Sequence, residues 1–222
     1  MRRQRRLSVL ATFGAIAASA LAACGDDEPE RDPEADQALV DSAVLTVDDL
    51  PDGWAEVPVE DDEDAEGIQQ CIESELGITS EAFDAARTAR SDRMQFELDQ
   101  QAVRARVNAF EDGDIPGRVI DAIDEEGLIA CATESFGPEL EAPFELAGIE
   151  AIDPVVGDET TAYQLRVLIR GSGVSIESRV NAIQVDRFVV TLDVTGLEGS
   201  IDDQLVVDGL ETMIGRVEDG DN

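Results

Sequence analysis

The 222-residue chain carries 51 acidic side chains against 16 basic ones, every basic one an arginine, and it contains no histidine and no lysine. Its formal charge of −35 at pH 7 excludes ordinary nucleic-acid binding, which needs a cationic surface to release counterions from phosphate, and opposes charge-driven docking on anionic lipid. Without histidine the usual general base and zinc ligand are missing, and without lysine there is no Schiff-base or phosphate-loop chemistry.

The chain opens with a cationic segment, Arg2, Arg3, Arg5 and Arg6, followed by an uncharged and mostly apolar run over residues 7–21. A bilayer core of roughly 30 Å needs about 20 apolar residues to cross, so this run is short for a mature span and suits the central region of a signal peptide. It ends in Leu21-Ala22-Ala23-Cys24-Gly25, which looks like a bacterial lipobox. The expectation is cleavage before Cys24, with a diacylglyceryl group on its thiol. Two acyl chains suffice for stable anchoring. The arginine pairs raise a twin-arginine export route, but Ser8 and Val9 match its following positions poorly. General secretion and twin-arginine export both stay open. Removing residues 1–23 takes away four of the 16 arginines and no acid, which leaves a net charge near −39.

Residues 25–36 carry two prolines and no large apolar side chain, and residues 24–38 are expected to form an acidic, extended, disordered tether. A single α+β domain is expected over residues 39–218, with a short tail at 219–222. Thr46-Val47-Asp48-Asp49-Leu50-Pro51 predicts a capped helical turn stopped by proline. Ile68, Cys71, Ile72 and Leu76 recur at helical spacing, with Gly77 as the stop. Met94, Phe96 and Leu98 alternate, as do Val103, Ala105, Val107 and Ala109, which predicts two strands. Asp114-Ile115-Pro116 opens another helix through Val119, Ile120 and Ile123, restarting over Leu128 to Ala132. Further on, three alternating runs separated by Gly171-Ser172-Gly173 and by Val185-Asp186 predict an antiparallel meander with one apolar face. A last helix, capped between Ser200 and Asp203, carries the stripe Leu205, Val206, Leu210, Met213, Ile214 and Val217, expected to cover the sheet.

The lipobox, the segment Leu45-Thr46-Val47-Asp48-Asp49-Leu50-Pro51-Asp52-Gly53-Trp54, one cysteine on each of two early helices and the strand-strand-strand-helix ending together resemble actinobacterial envelope lipoproteins. Among these are lipoproteins of the LpqN type and the extracellular sensor domain of the mycobacterial kinase PknH. The resemblance implies a PsbP-like α+β sandwich, an antiparallel sheet with helices packed on it, and ligand or partner binding. It carries over no catalytic residue. This chain departs from the kinase sensor in being far more acidic and in having fewer cysteines.

With Cys24 taken by lipid, Cys71 and Cys131 are the remaining pair, and both fall beyond the membrane in an oxidising compartment, so a disulfide between them is expected. Asp62, Asp64, Glu66 and Glu73, with Gly67 between, approach the frame of a calcium-binding loop. Glu66 stands where the frame has Asp or Asn, however, and Pro58 spoils an entering helix, so a solvated acidic loop is the competing reading. Trp54, the sole tryptophan, reads as a lid over the sheet end, with a ligand contact as the alternative. No cofactor is expected. The anticipated partners are the membrane, through the lipid anchor, and an unidentified small molecule or envelope protein. The leading expectation is a non-enzymatic, extracytoplasmic binding or sensor-like module. Its rivals are a carboxylate-dependent hydrolase of envelope polymers and a structural accessory to another envelope protein.

Overall fold

The computed structural model describes residues 32–59, 66–123, 126–139, 143–153, 155–156 and 160–221. Cys24, Asp62 and Asp64 lie outside them. The chain runs through helix α1 (Pro33–Ala43), a 3₁₀ turn (Val47–Asp49), strand β1 (Ala55–Glu56), helices α2 (Glu66–Leu76) and α3 (Ser80–Ala86), and strands β2 (Arg87–Arg90), β3 (Met94–Leu98) and β4 (Gln101–Phe110). Then come α4 (Asp114–Ile123), α5 (Glu126–Glu139), β5 (Phe144–Ile152), β6 (Thr160–Ile169), β7 (Val174–Val185), β8 (Phe188–Leu197) and α6 (Asp203–Gly220). The class is α+β: one eight-stranded antiparallel sheet, ordered β1-β3-β4-β8-β7-β6-β5 with β2 also paired to β4, and helices packed on it.

Ordered structure begins before the expected end of the tether. Asp32 caps α1 by accepting a hydrogen bond from the Glu34 backbone N–H, and Pro33 occupies the first turn, where its missing N–H costs nothing. Further along α1, Asp36 is 5% exposed and receives both guanidinium nitrogens of Arg187, at 2.6 and 2.8 Å, together with the Thr88 hydroxyl. That partner lies 151 residues away in sequence, and local composition carries no trace of it. At the other end, α6 continues through Gly220, which absorbs the start of the expected tail.

The expected single apolar face of the meander is also corrected. Strand pairing sets Val190 opposite Val107 and Ile183, and Leu192 opposite Ala105 and Asn181, on the face that α1 and α6 cover. Yet Val180 pairs with Asp193, Ala182 with Thr191 and Tyr163 with Val180. Tyr163 of β6 and Val180 and Ala182 of β7 therefore point to the opposite face, which α4 and α5 cover over β5, β6 and β7, while Ile183 and Val185 of β7 stay with the main core. Side chains alternate with a period of two, so β7 serves both sides, burying Asn181 and Ile183 on the face it shares with β8 and Ala182 on the other.

The first layer is the main core, with Phe96, Val107, Phe188, Val190, Leu210 and Met213 all fully buried. The α6 stripe lies on β8 as expected, and Gly209 allows the close approach: a Cβ there would sit 3.1 Å from the Leu192 side chain. The second layer is smaller. Cys71, Ile72 and Ile78 form its buried centre, with Phe83, Ile115 and Val119 packed around them. Cys71 on α2 and Cys131 on α5 are disulfide-bonded, with Cα atoms 5.6 Å apart. Gly77, at φ +65°, ends α2 in the left-handed conformation that glycine adopts without strain.

Candidate functional site

The change of buried side leaves one stretch of sheet without a helical cover of its own. On the second-layer face, β4 presents Arg104, Arg106 and Asn108, while Val103, Ala105 and Val107 of the same strand point into the main core. Helices α4 and α5 lie over β5 to β7, and α3 reaches only β2 and, through Phe83 against Phe110 at 5.2 Å, the far end of β4.

Two local features open this area. Between β2 and β3 the ladder is interrupted, and the Ser91 hydroxyl takes a carbonyl's role by accepting the Val107 backbone N–H at 3.0 Å. Arg90, at the end of β2, and Arg93, within the break, line the same cavity as Arg106. At the sheet edge, the Val57 N–H donates to the Gln95 carbonyl, and Pro58, lacking a donor, ends the pairing. Together these form a cavity of about 470 Å³ lined by Val57, Pro58 and Val59 on one side, Arg90, Arg93, Arg106 and Gln95 on the other, and Glu56, Asp92 and Met94. Met94 also packs against the main core.

The electrostatics show how closely the cations are gathered. Burial lowers the pKa of Arg106, and the charges of Arg93 and Arg87 push it further, to about 10. Burial and then Arg106 and Arg87 lower that of Arg90, and burial and then Arg104 lower that of Arg93. All remain cations at neutral pH. A net-acidic protein has concentrated Arg87, Arg90, Arg93, Arg104 and Arg106 within one short segment that holds only Asp92, Glu97 and Asp99 as acids.

A polar row continues from the cavity across the sheet. Arg104 donates through Nε to Gln95 at 3.0 Å and lies 3.6 Å from Asp193 on β8. Asp193 accepts the Ser178 hydroxyl at 2.5 Å, and Thr195 Oγ1 donates to Ser178 Oγ at 3.1 Å. Burial raises the Asp193 pKa against the pull of Ser178, Arg104, Thr195 and Arg93. Burial, followed by the Asp193 charge, also raises that of Tyr163.

Of the residues singled out from sequence, Trp54 is 8% exposed and belongs to the main core. Glu73 is exposed on α2, with Asp62 and Asp64 outside the described residues and the Glu66 side chain likewise. Among the described residues no group of three or more cysteines and acids is placed to hold a metal ion. The arginine cavity was not anticipated. Its signal was there: Arg104 and Arg106 interleave with the predicted inward positions of β4, in a stretch where arginine outnumbers acid.

No protein-family model matches the chain, and no curated relative matches it. Solved structures do. The crystal structure of the extracellular domain of PknH from Mycobacterium tuberculosis is similar to it at 10% sequence identity and a TM-score of 0.49, over 82% of this chain and 96% of that one.

Proposed function

We propose that this chain is a membrane-anchored, extracytoplasmic lipoprotein that binds a small ligand and does not catalyse a reaction. The carrying observation is the arginine-lined cavity on the stretch of sheet between the two helical layers. Its walls combine several cations, an amide and an apolar ridge, the composition of a recognition site in which a few polar groups fix orientation. Guanidinium groups do not exchange protons near neutral pH, no histidine or lysine stands beside them, and the arginines outnumber the lining carboxylates Glu56 and Asp92, which supports binding over acid–base chemistry.

The address rests on the leader and on the disulfide. The lipobox ending at Cys24 supports lipid attachment, and a Cys71–Cys131 bridge is at home outside the reducing cytoplasm. Among the described residues no helix is long and apolar enough to cross a membrane, which leaves the acyl chains as the proposed means of attachment.

Two measurements test this. Cys24→Ala should shift the protein from the detergent phase to the aqueous or precursor fraction in phase separation, and full retention with membranes removes the lipobox reading. Mass spectrometry of small molecules co-purified with the full chain from native membranes should find a compound that an Arg93→Gln, Arg106→Gln double variant loses. Identical profiles for the two proteins count against a ligand in this cavity.

A further inference from the structure

We infer that the outer edge of β5 is a docking site for an extended, basic segment of a partner protein, which adds to the eight-stranded sheet as a further strand. This edge lies apart from the arginine cavity, at the other end of the strand order, and needs no small ligand. The two ends of the sheet are built differently. At one end β1 has two residues, and Pro58 stops the pairing just beyond Val57. At the other, β5 has nine residues, contains no proline and pairs only with β6. Such a strand presents a row of unpaired backbone groups to any chain laid beside it.

The pairing says which groups those are. The Arg170 N–H donates to the Pro143 carbonyl, and β6 runs without a register shift against β7, so Arg170, Leu168, Arg166, Gln164 and Ala162 turn their backbone groups to β5. The register shift between Leu146 and Gly148 divides the edge. Beyond it, Gly148, Glu150 and Ile152 stand opposite Arg166, Gln164 and Ala162 and take the ladder bonds. The N–H and C=O of Ile149 and Ala151 are left pointing outward, and the partner strand pairs there.

The surroundings select the occupant. Glu145 and Glu150 flank the edge on one face, each about half exposed, with one carboxylate oxygen held by Arg170 and Arg166 of β6 at 2.8 and 2.6 Å. The second oxygen of each has no protein partner among the described residues. A Cβ at Gly148, between them, would meet nothing within 4 Å, so the space on this face is open. On the second-layer face the same strand offers Ile149 and Leu146, half-buried, and Phe144, exposed. An added strand therefore sets alternate side chains beside carboxylates and beside apolar surface, which fits a segment alternating basic and apolar residues. The formal charge of −35 attracts such a segment. It opposes a second copy of this chain, whose own Glu145 and Glu150 would face these.

The test uses the full chain in detergent micelles and a short labelled peptide alternating valine and arginine, with binding read by fluorescence anisotropy and by residue-resolved hydrogen exchange. A control peptide has the same sequence with every backbone nitrogen methylated, which keeps its charge and removes its N–H donors. The unmodified peptide should bind about tenfold more tightly than the control. Exchange at Ile149 and Ala151 should slow about tenfold on binding, while that at Ala55 and Glu56 stays unchanged. Ala151→Pro removes an outward N–H, spares the bonds to β6, and should weaken the peptide about tenfold. Glu150→Gln should weaken the valine–arginine peptide but not a valine–serine one. Equal binding of the methylated control shows attraction by charge alone and overturns the inference, as does no binding or protection gained elsewhere than β5. A valine–serine peptide that binds as tightly as the valine–arginine one overturns its basic half. A peptide-free dimer in sedimentation that Ala151→Pro dissolves gives the edge to a second copy and overturns the choice of partner. If Ala151→Pro does not fold, exchange at Ile149 and Ala151 in the parent protein still decides the matter.

Discussion

The half of the sheet built from β4 and β8 packs its apolar residues on one face, whereas in the half built from β5, β6 and β7 most apolar side chains turn to the other and only a few, Ile183 among them, stay with the first. In the first half, Val103, Ala105, Val107, Phe188, Val190 and Leu192 meet α1 and α6 in a dry core, while Arg104, Arg106 and Asp193 occupy the reverse side. In the second half, Tyr163, Val180 and Ala182 turn toward the α4 and α5 layer, and the reverse side carries Arg166, Glu177 and Arg179, tied into ion pairs with Glu150 and Asp203. A sheet sandwiched evenly would have no step. Here the second layer stops beside β8, and the polar row and cavity lie where it stops. The same residues that spoil β4 and β8 as two-sided core strands make the site.

The two halves should respond differently to damage. The largest effect is expected in the first. Phe188 is fully buried and lies beneath the Arg187 guanidinium at 4.4 Å, so Phe188→Ala should cost about 3–5 kcal/mol in urea unfolding. It should weaken α1 as well, because Arg187 is also the partner of Asp36. A loss under about 1 kcal/mol means that the first layer is loosely packed and that the contrast between halves is overstated.

The second half leans on its cross-link. Its buried centre is small, and the disulfide closes a separation of 60 residues. Replacing both Cys71 and Cys131 by serine should cost about 2–4 kcal/mol, with hydrogen-exchange protection lost first in α2, α4, α5 and β5. Equal loss across β4 and β8 shows instead that the two layers open as a single unit.

Much of this was legible in the sequence, and the failures have physical causes. Each strand of the meander, the capped turn at Thr46, the α6 stripe and the cysteine pair follow from local signals: period, cap chemistry and elimination. The change of buried side was not legible, because alternation gives two faces to each strand but not which face is shared with its neighbour. Register supplies that, and register depends on the turn at Asp186, whose φ is +51°. Helix α1 was hidden for a related reason. Pro33, Glu34 and Asp36 read as part of an acidic tether until Arg187 supplies the distant charge that buries Asp36. The cavity needed both kinds of information, since its arginines come from two strands and from a break between strands.

Charge bears on both halves alike and gives a smaller effect. With a formal charge of −35 on the full chain, carboxylates lie close together, and raising sodium chloride from ~0.01 to ~1 M shortens the Debye length from ~30 to ~3 Å. The melting temperature should rise by a few degrees over that range, roughly 1–2 kcal/mol in a domain of this size. A flat or falling curve shows that self-repulsion does not limit stability.

The smallest expected effect is the sharpest probe of the boundary between the halves, because it compares two carboxylates with opposite shifts. Burial tends to raise the pKa of Asp49, but the paired donors of Arg216, with the Thr46 backbone and hydroxyl, outweigh it and hold the group below 3.8. Its contribution is therefore present at neutral pH and is lost as pH falls through the lowered folded value. Asp193 behaves the other way. Its folded pKa lies above 3.8, so the folded state keeps a proton that the unfolded chain releases, and between those two values stability rises as pH falls. Asp193→Asn should accordingly leave stability at pH 7 unchanged or higher by on the order of 1 kcal/mol, since the amide oxygen still accepts from Ser178 and no charge is buried. The gain should shrink on acidification, whereas Asp49→Asn should lose stability at pH 7 and lose less on acidification than the parent. Urea unfolding of the three proteins at pH 7, 5, 4 and 3 measures both signs, Asp193 above 3.8 and Asp49 below it. An Asp193→Asn protein that is less stable at pH 7, with the parent's pH slope, means that Arg104 compensates the buried charge fully and that the polar row is structural rather than held in reserve for a ligand.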